Sequence, residues 1–363
     1  MFIFAEKLFE KAGGPNVSIP QFSKSLSKKG VDNVIFCKSE RLDKEFRKNE
    51  VVNVVSYKSL SDLIKSFIEL KNKTLKRNRI LHINFLWQPE LLLICLLGFI
   101  YNFKVIINSR GMLNKEAFTS GSKLKYPIFH FFVRPIFLLV VDYFQCSSSE
   151  EIDAIKKYFP RKKNFLNILG YKRIKNISKN DSKQKYLTRT IVSISRIDDH
   201  KNLDILIDQF IKSNLGRNGW KLKIFGANDL SEYKKYTDLF CENILDKNKI
   251  YLNLFVSEKE KIKILQNSSF FVSASKSESF GLSIAESLDI ETPIIIRNNT
   301  IWEKYISLNC GYSFKDNGLG SIFEKLDNLN YETYSSLHSN IKKHFNPLSW
   351  EKHVEIFLNE VNY

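Results

Sequence analysis

Two carboxylates, Glu278 and Glu286, stand in the segment SASKSESFGLSIAESLDIETPIII (273–296), one on each side of a Phe280-Gly281-Leu282 turn. Two cations, Arg196 and Lys201, stand in SISRIDDHKNLDILIDQF. A carboxylate accepts hydrogen bonds from hydroxyls, an Arg offers phosphate a planar fork, and a Lys offers it a mobile point charge. Together the four suit a ligand with a polar head facing Glu278, a ribose facing Glu286 and a diphosphate facing the cations. Taken singly, each has a plainer meaning. The glutamates can be a helix-start charge and a solvated helical side chain, and the cations can belong to a solvated turn.

The surrounding pattern predicts the elements that hold these residues. FFVSAS reads as a buried strand, and GLSIAESL as a helix beginning near Phe280 or Gly281. The turn between them lies at a strand's carboxyl end, where ligands bind in open α/β sheets. Gly281 lets a ligand approach the backbone, and the helix start offers N–H groups and a positive dipole end to phosphate. Glu286 falls about one and a half turns into that helix, while Glu278 stays on the loop. Arg196 follows the strand TIVSISR, and Lys201 precedes a helix periodic in Leu203, Leu206, Ile207 and Phe210.

Apolar runs of strand length recur between segments of helical period: NVIFC (33–37), RILHINFLW (79–87), FKVIINSRG (103–111), DYFQCS (142–147), TIVSISR (190–196), LKIFGA (222–227), SFFVSAS (269–275) and TPIIIR (292–297). This alternation predicts βα units and parallel sheets with helices on both faces, an α/β fold. The basic stretch 171–190 lacks apolar periodicity and reads as a linker, which divides the chain near residue 185. The expected domains are 1–180 with a C-terminal helix over 347–363, and 185–346. That last helix has Ser349 as N-cap and Trp350, Val354, Phe357, Leu358 and Val361 on one stripe.

A chain of 363 residues exceeds what one core fills, so two domains are expected. A net charge of +17 favours polyanionic partners such as nucleic acid, anionic lipid or phosphorylated substrates. The five cysteines are dispersed, with no CxxC pairing, and are expected to be buried thiols in a reducing cytoplasm. No signal peptide is visible in MFIFAEKLFEK. Leu91 to Tyr101, the most apolar stretch, is too short to span a bilayer and reads as a buried core helix. The segment 123–144 mixes Lys and Arg with aromatics; it reads either as core helix and strand or as a face laid on an anionic membrane.

Arg196 and Lys201, Gly226 after LKIF, the Glu-x7-Glu block of SASKSESFGLSIAES and then TPIII resemble the C-terminal domain of family 4 glycosyltransferases. The first half adds softer similarities in LHINFLWQPE, INSRGML, CSSSEEIDAI, Gly13-Gly14 and the closing SWEKHVEIFL. The resemblance implies a GT-B architecture of two facing Rossmann-like, doubly wound domains with a cleft between them, the first binding acceptor and the second donor. It implies retaining transfer of a hexose from a UDP- or GDP-linked donor to a saccharide or undecaprenyl-linked acceptor, expected to be lipid-linked, in lipopolysaccharide, O-antigen or capsule assembly. No cofactor or metal is expected. Arg196 and Lys201 would neutralise the leaving diphosphate, Glu286 would hold the ribose, and Glu278 would contact the donor sugar. Phe280, Gly281 and Leu282 would give backbone N–H groups, and Gly13 and Gly14 would let a loop approach the diphosphate. Arg110 sits where many relatives carry a His near the reacting sugar. The enzyme would be cytoplasmic, with peripheral contact at the inner face of the plasma membrane.

The chain departs from the family pattern at Ser195 and Asn202, which replace glycines, and at Asp289, Ile290 and Glu291, which replace small residues. The Asn-Gly expected at the linker entrance is present only as NILGY (167–171). His82, at a strand end, reads equally as a ligand contact and as a packed histidine. His200, beside two aspartates, reads as a surface turn. No Asp-x-Asp motif, zinc-type histidine spacing or GxGxxG fingerprint is present. Two other functions fit parts of the sequence: a sugar-nucleotide epimerase of the same fold, which would form product from donor alone, and a basic nucleic-acid-binding protein. The second has no recognised module behind its charge, and no nucleic-acid partner is expected.

Overall fold

The structure is a computed structural model of the chain and describes residues 1–5, 7–8, 14–42, 52–76, 79–88, 90–114, 124–174, 181–298, 300–316 and 318–363. Two compact units result, Met1–Lys172 with Leu348–Tyr363, and Arg173–Pro347.

Unit 1 is built on seven strands: β1 (Phe2–Phe4), β2 (Val34–Lys38), β3 (Val54–Tyr57), β4 (Ile80–Ile83), β5 (Lys104–Asn108), β6 (Tyr143–Cys146) and β7 (Lys163–Leu166). Their spatial order is β3-β2-β1-β4-β5-β6-β7, every pairing parallel. The central strands are mostly apolar, as strands with helices on both faces are, with His82 and Gln145 as buried polar exceptions. Phe2, Phe36, Phe67 and Phe103 interlock, with centroids about 5 to 6 Å apart, inside one continuous core.

Unit 2 carries β8 (Thr190–Ile194), β9 (Lys221–Ala227), β10 (Ile250–Leu254), β11 (Phe270–Ser273), β12 (Ile294–Arg297) and β13 (Gly311–Phe314), in the all-parallel order β10-β9-β8-β11-β12-β13. This is the doubly wound order whose winding reverses between β8 and β11. A second core surrounds it, formed by Leu206, Phe210, Trp220, Phe270 and Tyr334 among others. The expected helices after β8 and β11 form as Leu203–Lys212 and Leu282–Asp289. The C-terminal helix is Trp350–Glu360, with the Ser349 side chain accepting from the Lys352 N–H.

Three expectations change. The stretch read as a linker contains a helix, Ser182–Leu187, whose first turn Asp181 caps. Its Lys185 is fully buried and donates to Thr292 Oγ1 and the Leu265 carbonyl, so the cationic head is satisfied where periodicity gives no sign of packing. Cys37, Cys95, Cys146 and Cys310 are buried thiols, but Cys241 is exposed because it sits at the break between two short helices.

The helix Leu91–Ile100 is not wholly core. It buries Leu91, Ile94, Cys95 and Leu97 and turns Leu96, Phe99 and Ile100 outward. The helical run from Lys125 to Val140, with a π turn over Phe129–Val133, likewise buries Phe129, Val133 and Phe137 and exposes Phe131 (75%), Phe132 and Leu139. No helix among the described residues is long and apolar enough to cross a membrane.

Candidate functional site

In unit 2 the chemistry-bearing loops leave adjacent strands at the reversal point. After β8, Asp198 caps a short 3-10 turn, Asp199–Lys201, by accepting from the His200 N–H. After β11, residues 274–281 lead into the helix at Leu282. Backbone and side chain tie the two loops together. The Lys276 N–H donates to the His200 carbonyl at 2.9 Å, and Asn202 Nδ2 donates to the Ala274 carbonyl at 3.0 Å. Across this junction Lys201 Nζ meets Glu278 Oε1 at 2.6 Å, both side chains 16% exposed. Ser275 Oγ (2.6 Å) and Ser273 Oγ (3.4 Å) donate to the same oxygen. The carboxylate is therefore held from several sides. Lys201 has three donors and can serve a second anion while keeping this one.

Arg196 lies apart from that cluster. Its guanidinium is 81% exposed and 3.5 Å from Asp198 Oδ2. A solvated fork of this kind can close on an arriving phosphate.

Gly281 is left-handed (φ 76°), and a Cβ there would stand 2.8 Å from Ile284 Cδ1, so the position suits glycine both conformationally and sterically. No side chain caps the helix that follows. Phe280 is fixed beside it: its carbonyl accepts from Trp302 Nε1 and its ring meets the Trp302 ring edge-on at 5.1 Å. Leu282 is the first helical residue. Gly226 (φ 146°) lies where a Cβ would be 1.6 Å from the Ser195 carbonyl, which lets β9 run against the start of the Arg196 loop.

Glu286 faces inward. Oε1 accepts from Lys261 Nζ at 2.7 Å, and Lys261 also meets Glu258 at 2.8 Å. Burial pushes the Glu286 carboxyl up to about 7 despite the neighbouring ammonium. Lys261 and the two serines are absent from the sequence-derived set. Their signal there is only that of a polar helix face and a Ser-rich turn.

In unit 1, Gly14 (φ 64°) starts the helix Pro15–Lys28 and accepts from the Val17 and Ser18 N–H groups. Gly13 lies outside the described residues. Arg110, left-handed at φ 48°, donates through Nε and Nη2 to Asn84 Oδ1 (3.2 and 2.8 Å) and through Nη1 to Ser18 Oγ (3.0 Å). Burial lowers its guanidinium to about 10, and Glu151 opposes that shift. His82 is 2% exposed, its Nε2 2.8 Å from Gln145 Oε1 and its Nδ1 3.1 Å from Asn84 Nδ2, with Phe22 and Phe357 against its ring. Burial drives it down to about 3, so it is neutral. Asn84, which sequence reasoning passed over, joins the two. Among the described residues no group of three His, Cys, Asp or Glu is placed to hold a metal ion.

Residues 173–343 match the family model for glycosyl transferases group 1. Among solved structures the chain is similar to Anabaena HepE in complex with UDP and glucose (11% identity, 99% of both chains, TM-score 0.72). It is also similar to TarM (14% identity, 100% of this chain and 98% of that one, TM-score 0.74). A third similarity is to WaaG, a glycosyltransferase involved in lipopolysaccharide biosynthesis (11% identity, 99% of both chains, TM-score 0.71). No curated protein matches the chain. At such identities the structural likeness speaks for the fold. The two Rossmann-like parallel sheets are those of GT-B glycosyltransferases, and residues 173–343, nearly all of unit 2, carry the group 1 match.

Proposed function

We propose that the protein is a retaining glycosyltransferase of family 4 that moves a hexose from a UDP- or GDP-linked donor to a lipid-linked saccharide in lipopolysaccharide, O-antigen or capsule assembly. The observation that carries this reading is the junction of Lys201 with Glu278 beside the Gly281 helix start, at the winding reversal of the sheet that bears the group 1 match. The neighbours that bind UDP, and WaaG's part in lipopolysaccharide biosynthesis, support the donor and the product class.

Unit 2 takes the donor. Glu286 accepts from the ribose hydroxyls and Glu278 from the sugar. As the bond from the anomeric carbon to the β-phosphate oxygen breaks, its electron pair passes to that oxygen. Lys201, Arg196 and the N–H groups around Phe280, Gly281 and Leu282 stabilise the new charge selectively in the transition state. The acceptor hydroxyl forms the new bond on the same face and gives its proton to the leaving phosphate. In unit 1, Gly13 and Gly14 serve the diphosphate and Arg110 the reacting sugar, while His82, buried with both ring nitrogens engaged, is a packed histidine. The reaction needs no metal, and activity is expected to persist in excess EDTA.

Unit 1 also contacts an anionic membrane on the inner face of the plasma membrane. Phe131, Phe132, Leu139 and Ile100 point outward, Lys125 and Arg134 lie among them, and residues 124–141 contain no acid. Sedimentation with anionic liposomes should fall as salt rises; absent or salt-indifferent binding refutes this contact. The main reading is tested by thermal shift with UDP, GDP and their hexose conjugates. One nucleotide series should raise the melting temperature, and silence across all of them would remove the donor site.

A further inference from the structure

Glu286 has one oxygen engaged and one open. Oε1 accepts from Lys261, whereas Oε2 is buried with no hydrogen-bond partner among the described residues, on a residue only 9% exposed. A buried acceptor left open is costly unless something supplies a donor. Glu286 lies on the helix whose N-cap is Gly281, the helix that follows the second of the reversal-point loops.

Lys261 is held as firmly as the carboxylate it meets. It sits on the helix Glu258–Gln266, whose start is fixed by a reciprocal capping box between Ser257 and Glu260. Toward the far end of that helix, the Leu265 carbonyl accepts from Thr292 Oγ1 at 2.8 Å, just beyond the helix of Glu286. The two helices are thereby pinned to each other, and the Lys261 side chain is 12% exposed, its ammonium between Glu286 and Glu258.

We propose that Lys261 is a positioning residue for nucleotide binding: its ammonium locks Glu286 Oε1 at 2.7 Å and leaves Oε2 as the acceptor for a ligand diol. This rests on the reading of Glu286 as the ribose carboxylate. The charged groups facing Glu286 are Lys261 and Glu258 from the neighbouring helix and Asp289 from its own. Burial, Glu258 and Asp289 all favour the protonated form, and Lys261 opposes them. Without the ammonium the carboxyl would enter neutral pH protonated and offer the diol a weaker, uncharged acceptor.

The test compares wild type with Lys261→Met, Lys261→Gln, Lys261→Arg and Glu286→Gln by calorimetric titration of UDP and GDP between pH 6 and 9, each beside its 2′-deoxy analogue. In the wild type, binding should strengthen as pH rises through about 7. Lys261→Met and the polar, uncharged Lys261→Gln should move that midpoint up by about one unit or more, weakening binding near pH 7 by about fivefold or more. Lys261→Arg should restore it, and the deoxy analogues should respond less. An unchanged midpoint and affinity in both neutral variants, with Glu286→Gln still impaired, overturns the role of Lys261 and leaves the ribose site standing. Glu286→Gln binding like wild type overturns the ribose reading itself. A ¹³C titration of the Glu286 carboxyl in ligand-free protein gives an independent check: the same midpoint in wild type and Lys261→Gln also overturns the proposal.

Discussion

Lys201→Met separates the two consequences that the junction predicts. Breaking an exposed ion pair costs at most about 1 kcal/mol, whereas removing one member of a fully buried pair costs about 3–5 kcal/mol. At 16% exposure on each side chain, Lys201 and Glu278 lie between these limits. Glu278 also keeps its Ser275 and Ser273 donors after the change, so the stranded carboxylate remains partly satisfied. The expected loss is about 1–2 kcal/mol, which for a unit of this size lowers the melting temperature by about 3–6 °C. Turnover should fall far more, by about 10²-fold or greater, because the same ammonium is placed to meet charge developing on the leaving diphosphate. Adding Glu278→Gln to Lys201→Met should recover much of the stability and none of the turnover. Calorimetric melting beside steady-state hydrolysis or transfer of the donor found by thermal shift provides the readout. Turnover within about threefold of wild type in Lys201→Met, with the protein folded, would refute the assignment of Lys201 to the departing phosphate.

Two further outcomes follow from the packing. Gly226→Ala would place a methyl 1.6 Å from the Ser195 carbonyl at φ 146°, so strand displacement and strain together should cost about 3 kcal/mol or more; a urea midpoint equal to wild type would contradict the β8–β9 approach. His353 is buried, with Nδ1 2.9 Å from the Ile168 carbonyl, and burial, assisted by the Arg110 charge, pushes it down to about 4. Its folded pKa is below the unfolded value, so this stability is complete above about 6.5 and is lost as pH falls toward 4, by about 2 kcal/mol at pH 5. His353→Asn should remove that part of the acid dependence, measured as urea stability at pH 7.5 and 5; an unchanged difference would count against the burial of a neutral ring.

The strands visible in the sequence are those with apolar residues on both faces. β2, β4, β5, β6, β8, β9, β11 and β12 each follow an apolar run, and all lie inside their sheets. Four of the strands that the pattern does not reveal, β3, β7, β10 and β13, are the sheet edges. There Val54-Val55-Ser56-Tyr57, Lys163-Asn164-Phe165-Leu166 and Ile250-Tyr251-Leu252-Asn253-Leu254 mix exposed and buried positions, so the continuous run that marks an interior strand is missing. The remaining one, β1, has only the three residues Phe2–Phe4. In the site, residues with a distinctive turn or spacing, such as Gly281 and the Glu-x7-Glu pair, are legible. Lys261 is not, because a lysine in EKEKIKIL looks like any solvated helical cation until the fold brings Glu286 to within 2.7 Å.

The departures at Asn202 and Glu291 have a backbone reason. Both are left-handed, at φ 48° and 60°, the region that glycine enters most readily. Asn tolerates that conformation better than most residues, and Asn202 adds a side-chain bond to the Ala274 carbonyl that glycine could not make. Glu291 lies 3.5 Å from His338 through its carboxylate. Ser195, by contrast, has no positive φ; the close approach there is relieved on the opposite strand, by Gly226. Backbone freedom at 202 is therefore exchanged for a bond that joins the loop carrying Lys201 to the loop carrying Glu278, and the lysine meets its carboxylate across a junction already held by the main chain at His200 and Lys276.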